Sequence, residues 1–167
     1  MPAPLPYNEI DRLRILHGYH ILDTPPEEQF DLIVREAALK CEAPIALFTL
    51  VDDKRQWFKS RVGLDIQETD RAVSFCAHAV SNNAPFVIED TTKDVRFADN
   101  ELVVGAPFIR FYAGIPVHAK DGSPLGALCI IDSTPRSLPW DHFQLLQKLA
   151  SQVEVQLELR DISLTTH

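Results

Sequence analysis

The residues most able to do chemistry gather in three stretches of the chain. The first is Ser74-Phe75-Cys76-Ala77-His78-Ala79-Val80, where a thiol and an imidazole stand two residues apart. Ser74 reads as the cap of a short helix over 75–80. A helix N-terminus favours thiolate, so Cys76 could be a nucleophile, an attachment point or a metal ligand. Zinc would need further Cys or His ligands at suitable spacing, and the sequence does not supply them. The apolar neighbours Phe75, Ala79 and Val80 suit Cys76 equally well to being a small core residue. The second stretch, Asp90 to Pro107, has no steady period and carries Asp94, Arg96, Asp99 and Asn100, with Arg110 just beyond. Arg96 could fork onto a carboxylate or phosphate. It could equally pair with Asp94 or Asp99 to hold the loop, with Asn100 hydrogen-bonding to backbone. The third group is aromatic: Trp57, Phe58, Phe97, Phe111 and Tyr112. Successive strand residues face opposite sides, so only one of Phe111 and Tyr112 can face a given cavity.

Other chemistries find no residues. There is no catalytic carboxylate pair and no Ser/His/Asp arrangement. Gly122-Ser123-Pro124-Leu125-Gly126 lacks the Lys-Ser/Thr of a phosphate loop and reads as a hairpin turn. Cys41, Cys76 and Cys129 cannot all pair within one chain, form no CxxC couple and sit among apolar residues, as reduced buried thiols do.

The elements that must position these groups follow from periodicity. Residues 1–7 hold three prolines and read as a flexible lead-in. Asn8 can cap a helix carrying Ile10, Leu13 and Leu16. Thr24, Pro25 and Glu27 form a capping box for a second helix, which runs to about Cys41 with Phe30, Ile33, Val34, Ala37 and Ala38 as its buried stripe. Ile45–Val51 and Gln56–Val62 predict an antiparallel hairpin, and Phe86–Ile88 a short strand. Ile109–Ala119 and Leu125–Ile131 form a second hairpin around Asp121-Gly122. A last helix spans about Pro139 to Arg160. Its residues Phe143, Leu146, Ala150, Val153 and Leu157 keep a heptad seam, with Leu145, Leu149 and Val155 on another side. Hairpins without strand–helix–strand alternation favour an α+β fold.

Composition sets the class. The 167 residues suit one domain, taken as residues 8–160 with a tail over 161–167. Hydrophobic content of 46% with 24% charged residues is that of a globular protein with a proper core. A net charge of -8 with no basic cluster argues against nucleic-acid and membrane partners. No signal peptide is evident, so a cytoplasmic location is expected.

The segments DTPPEEQFD, PIALFTLVD, RQWFKS, SFCAHAV, RFADN and IRFYAGIPVHAKDGSPLGALCIIDSTPR together resemble a GAF domain. They resemble most the subgroup at the front of bacterial sensor histidine kinases and diguanylate cyclases. The similarity covers nearly everything from Asn8 to Arg160, and its most specific part is the second hairpin. It implies a GAF-like (PAS-like) antiparallel sheet of five to six strands, with the terminal helices on one face and a pocket roofed by short helices and loops on the other. It implies a non-catalytic sensory module that binds an unidentified small molecule: cyclic nucleotides, tetrapyrroles, haem and metabolites are the family's ligands, and no cofactor is singled out here. The expected ligand-binding residues are Trp57, Ser74, Cys76, His78, Arg96, Phe97, Asn100 and Tyr112. Bilin-binding members carry a cysteine directly followed by histidine, whereas here Ala77 intervenes. The resemblance also offers an enzyme, a free methionine sulfoxide reductase using Cys76. Against it, no cysteine lies between Asp90 and Pro107, and Cys129 stands where the reductases usually show an acidic residue. A third implied role is a ligand-free dimerisation scaffold. The heptad seam would give a homodimer and carry a pocket change to a downstream kinase or cyclase effector domain.

Overall fold

The computed structural model describes residues 1–165, with side chains to Asp161. Helices α1 (Glu9–Gly18) and α2 (Glu28–Lys40) lead into strands β1 (Ile45–Val51), β2 (Arg55–Val62) and β3 (Glu68–Asp70). Helix α3 (Cys76–Asn82), strand β4 (Phe86–Ile88) and the single turn α4 (Glu101–Val104) follow. Strands β5 (Phe111–His118) and β6 (Pro124–Asp132) and helix α5 (Trp140–Thr165) complete the chain. The six strands form one antiparallel sheet in the order β3-β2-β1-β6-β5-β4. This is the expected α+β fold, and both expected hairpins are present. No helix among the described residues is long and apolar enough to cross a membrane.

Strand alternation divides the core into two layers. Ala46, Phe48 and Leu50 of β1, with Phe111, Ala113, Ile115, Leu128 and Ile130, pack against α1, α2 and α5. Burying a side chain such as Phe48 stabilises the fold by about 1.5–3 kcal/mol. The opposite set, including Ile45, Leu47, Phe58, Phe86, Tyr112, Ala127 and Cys129, faces α3 and the segment 91–109. We call these the helix face and the roof face. A bulge in β2 lets Lys59 and Ser60 both point to the helix face, where they meet Thr24 and Asp31.

Several local expectations are corrected. Asn8 precedes α1 in a left-handed conformation and makes no side-chain cap bond. Helix α2 begins at Glu28 instead of beside Pro25, and Thr24 does not cap it. The Thr24 hydroxyl is spent on the Ile21 carbonyl and accepts from Lys59 Nζ at 2.8 Å. Instead of hanging free, the lead-in packs Ala3 against the roof-face core and buries Pro6. The tail is helical through Thr165, and residues 166–167 lie outside the described residues.

The heptad seam of α5 is covered by the chain's own core. Leu146, Ala150, Val153 and Leu157 are buried against the sheet and α2, and so is Leu149. Among the described side chains of α5, the apolar ones left exposed are Trp140, Val155 and Leu159. The seam is therefore packed within the chain.

Candidate functional site

The roof face gathers most of the residues singled out above. Ser74 Oγ accepts from the Ala77 amide at 3.0 Å, capping the first turn of α3 as expected, and donates to Gln56 Oε1 at 2.6 Å. The cap fixes the start of α3, so Cys76, its first residue, points down at the sheet. Tyr112 lies across the sheet towards it and donates from its hydroxyl to Cys76 Sγ at 2.9 Å. Tyr112 can lie flat because residue 114 is glycine: a Cβ there would stand 2.1 Å from the tyrosine oxygen.

An aromatic cluster closes the space above. Phe75 stacks on Phe97 with ring centroids 4.3 Å apart, and on its other side approaches Tyr112 at 5.3 Å. His78 stacks on Phe86 at 5.2 Å and meets the edge of Phe97 at 4.8 Å. Arg96 covers the rim, its guanidinium 5.1 Å from the Phe86 ring centre and 5.6 Å from that of Phe97. Burial and the Arg96 charge both hold the His78 imidazole below its ordinary pKa, so it is neutral near pH 7.

The void left beneath this roof is about 20 Å³, lined by Gln56, Phe58, Phe75, Cys76, Tyr112 and Cys129 among others. That is room for one water molecule. Nucleotides and tetrapyrroles need hundreds of Å³.

Of the eight expected binding residues, Ser74, Cys76, His78, Phe97, Asn100 and Tyr112 are buried on the roof, and Arg96 lies at its rim. Trp57 is the exception. It packs in the helix-face core, and its neighbour Phe58 takes the roof position. The polar members are already partnered. Arg96 is bound two-pronged to Asp94, at 2.9 and 2.6 Å. Asn100 caps α4 by accepting from the Leu102 amide at 2.8 Å and donates to the Val73 carbonyl at 3.2 Å. Arg110 donates to the Val103 carbonyl at 2.8 Å and so ties the loop to β5. Among the described residues no cluster of three metal-ligating side chains exists.

Three residues of the site were not among the expected binding residues. Cys129 and Gln56 line the void beside Cys76, and Gly114 makes room for Tyr112. The alternation Ala127-Cys129-Ile131 carried the signal for Cys129, and a lone glycine inside a strand carried it for Gly114.

A second polar constellation lies on the helix face. Lys59 is wholly buried, with Nζ bonded to the Pro25 carbonyl and to Glu27 at 2.6 Å. Glu27 also accepts from Arg160 of α5 at 2.8 Å, and Arg160 donates to the Tyr19 carbonyl at 2.9 Å. One carboxylate thus clasps the sheet to the end of α5.

Comparison with known proteins agrees with this geometry. The family model described as GAF domain matches residues 25–157. A cyclic di-GMP phosphodiesterase of Pseudomonas aeruginosa is 42% identical over 133 residues, which are 80% of this chain and 23% of that protein. The chain therefore spans about a quarter of that relative's length. Among solved structures, the GAF domain of an Acinetobacter phosphoenolpyruvate-protein phosphotransferase superposes with a TM-score of 0.62 at 16% identity, covering 89% of this chain and 92% of that one. A type II free methionine-R-sulfoxide reductase from Thermoplasma acidophilum reaches 0.59 at 14% identity, over 79% and 96%. At such identities the likeness is one of fold. With the matched stretch running from Pro25 to Leu157 and the sheet and roof arranged as described, the chain belongs to the GAF domain family of sensory modules.

Proposed function

We propose that this chain is a non-catalytic regulatory module whose roof-face site is filled by its own aromatic side chains and whose output leaves through α5. The observation that carries the reading is the void of about 20 Å³ beneath Phe75, Phe97 and Tyr112. A cyclic nucleotide, haem or bilin has no space there, so the closed site acts as a structural element of the module. The Lys59–Glu27–Arg160 clasp supports the output route, because it joins β2 to the C-terminal part of α5. The similarity to a cyclic di-GMP phosphodiesterase supports a role beside an effector domain of second-messenger signalling.

A thermal-shift screen against cyclic di-GMP, cyclic mononucleotides, haem, biliverdin and free amino acids tests the filled site. A ligand that binds the native state at 100 times its dissociation constant adds about 2.7 kcal/mol of stability, a displacement of several degrees. The expected result is an unmoved melting curve with every compound. A saturable shift with any of them would replace this reading with that of a ligand sensor.

A further inference from the structure

The roof face holds a second thiol that a filled, non-catalytic site does not use. Cys129 lies on β6, the strand between β1 and β5, and faces the same small void as Cys76. Helix α3 packs across β6, which brings Cys76 against Cys129. The Tyr112 hydroxyl, Thr49 and Cys129 all face the Cys76 sulfur. Burial pushes the Cys76 thiol up, but these polar hydrogens outweigh it and its net shift is downward. Burial, together with the nearby Cys76 sulfur, pushes Cys129 well up. The Tyr112 hydrogen bond falls on Cys76, so Cys76 is the attacking sulfur and Cys129 the resolving one. Cys41 differs: it is buried on the helix face with its thiol pushed up by burial, and it lines no shared void.

We propose that Cys76 and Cys129 form a dithiol that hydrogen peroxide, or a hydroperoxide of similar size, oxidises to a disulfide. The Cys76 thiolate attacks one peroxide oxygen and the O–O bond breaks. The second oxygen leaves as hydroxide and takes up the proton that Cys76 had released, giving one water and a sulfenic acid. The Cys129 sulfur then attacks the Cys76 sulfur, so the S–S bond forms as the S–O bond breaks. The departing hydroxide takes the Cys129 proton as a second water. The two thiols lose two electrons in all, and the peroxide gains them. A void of about 20 Å³ excludes an oxidant the size of an amino acid and so favours the smallest peroxides. The disulfide would pin α3 to β6 and strip Tyr112 of its acceptor. Only this structural consequence rests on the regulatory reading above; the chemistry stands on the thiol pair.

The test is peroxide titration of the folded, reduced chain, followed by intact mass and non-reducing peptide mapping. The expected product has lost two hydrogens, contains a peptide joining Cys76 to Cys129 and returns to the starting mass with dithiothreitol. In Cys129→Ser the reaction should stop at a Cys76 sulfenic acid, read in the intact mass as the gain of one oxygen atom, and Cys41→Ser should behave as the unaltered chain. Oxidation confined to Cys41, or an unaltered chain with no Cys76–Cys129 peptide, would overturn the proposal. That readout needs no substitution, so it holds even if the serine variants fold poorly. A missing cross-link beside an unmoved ligand screen defeats the dithiol alone, and a ligand shift beside a formed cross-link defeats the filled site alone.

Discussion

Phe30, Phe48, Leu128 and Val153, on the helix face of the sheet, are packed without a polar atom among them, whereas the roof face buries Thr49, Gln56, Ser74, Cys76, Asn100 and Tyr112. The helix face saturates its buried charges, Arg12 and Lys59: Arg12 meets Glu9 and the Val51 carbonyl, at 2.8 and 2.7 Å. The roof face instead carries hydrogen bonds that run from Ser74 to Gln56 to Thr69 and from Tyr112 to Cys76. Apolar burial is non-directional and scales with area, while a buried polar network depends on a few angles and distances. The comparison teaches a division of labour. One face holds the domain together and carries α5; the other is specified by contacts that a small chemical change could rearrange.

Three perturbations sharpen that division, taken from the largest expected effect to the smallest. Val153→Glu places an unpaired carboxylate in the helix-face core and should cost several kcal/mol, enough to lose the cooperative urea transition at 25 °C. A variant that kept its fold but changed its mass in solution would show instead that the α5 seam faces a partner. Phe97→Ala removes the ring between Phe75 and His78 and should cost about 3 kcal/mol in urea unfolding, leaving an apolar hole under the roof.

The smallest effect is at the clasp. Burial raises the Glu27 carboxyl, but hydrogen bonds and charge from Lys59 and Arg160 outweigh it and bring the folded value below the ordinary 4.5. A folded pKa below the unfolded one means that the unfolded chain binds more protons, so the clasp stabilises the fold above the unfolded value. That contribution is lost as pH falls through the folded value. Glu27→Gln should therefore remove about 1 kcal/mol at pH 7 and little at pH 3. Equal losses at both pH values in urea titrations would contradict the ion-pair account of the clasp.

Much of the fold was legible because its signals are local. The run Ile45–Val51, the Asp121-Gly122 turn with its positive φ at Gly122, and the buried stripe of α2 each follow from a few adjacent residues. The failures came where a side chain was claimed from a distance. Thr24 was drawn from its capping box by Lys59, thirty-five residues away. The Trp57/Phe58 parity is set by which face of β2 the roof covers, and that is a property of the whole sheet. The α5 heptad is a true apolar period, but period alone does not say whether a sheet or a second helix covers it. Six of the eight expected site residues lie on the roof, yet whether a roof is hollow or full depends on how rings interlock. Gly114 decided that by letting Tyr112 lie flat.

The central claim is that the roof-face site is full. Benzene binding, followed by amide chemical shifts around α3 and β5 in the unaltered chain and in Phe97→Ala, tests it most directly, because an apolar probe finds any pre-existing apolar void. The account predicts saturable shifts in Phe97→Ala and none in the unaltered chain. Saturable shifts of the same residues in the unaltered chain would show a hollow already present beneath the roof and would contradict it.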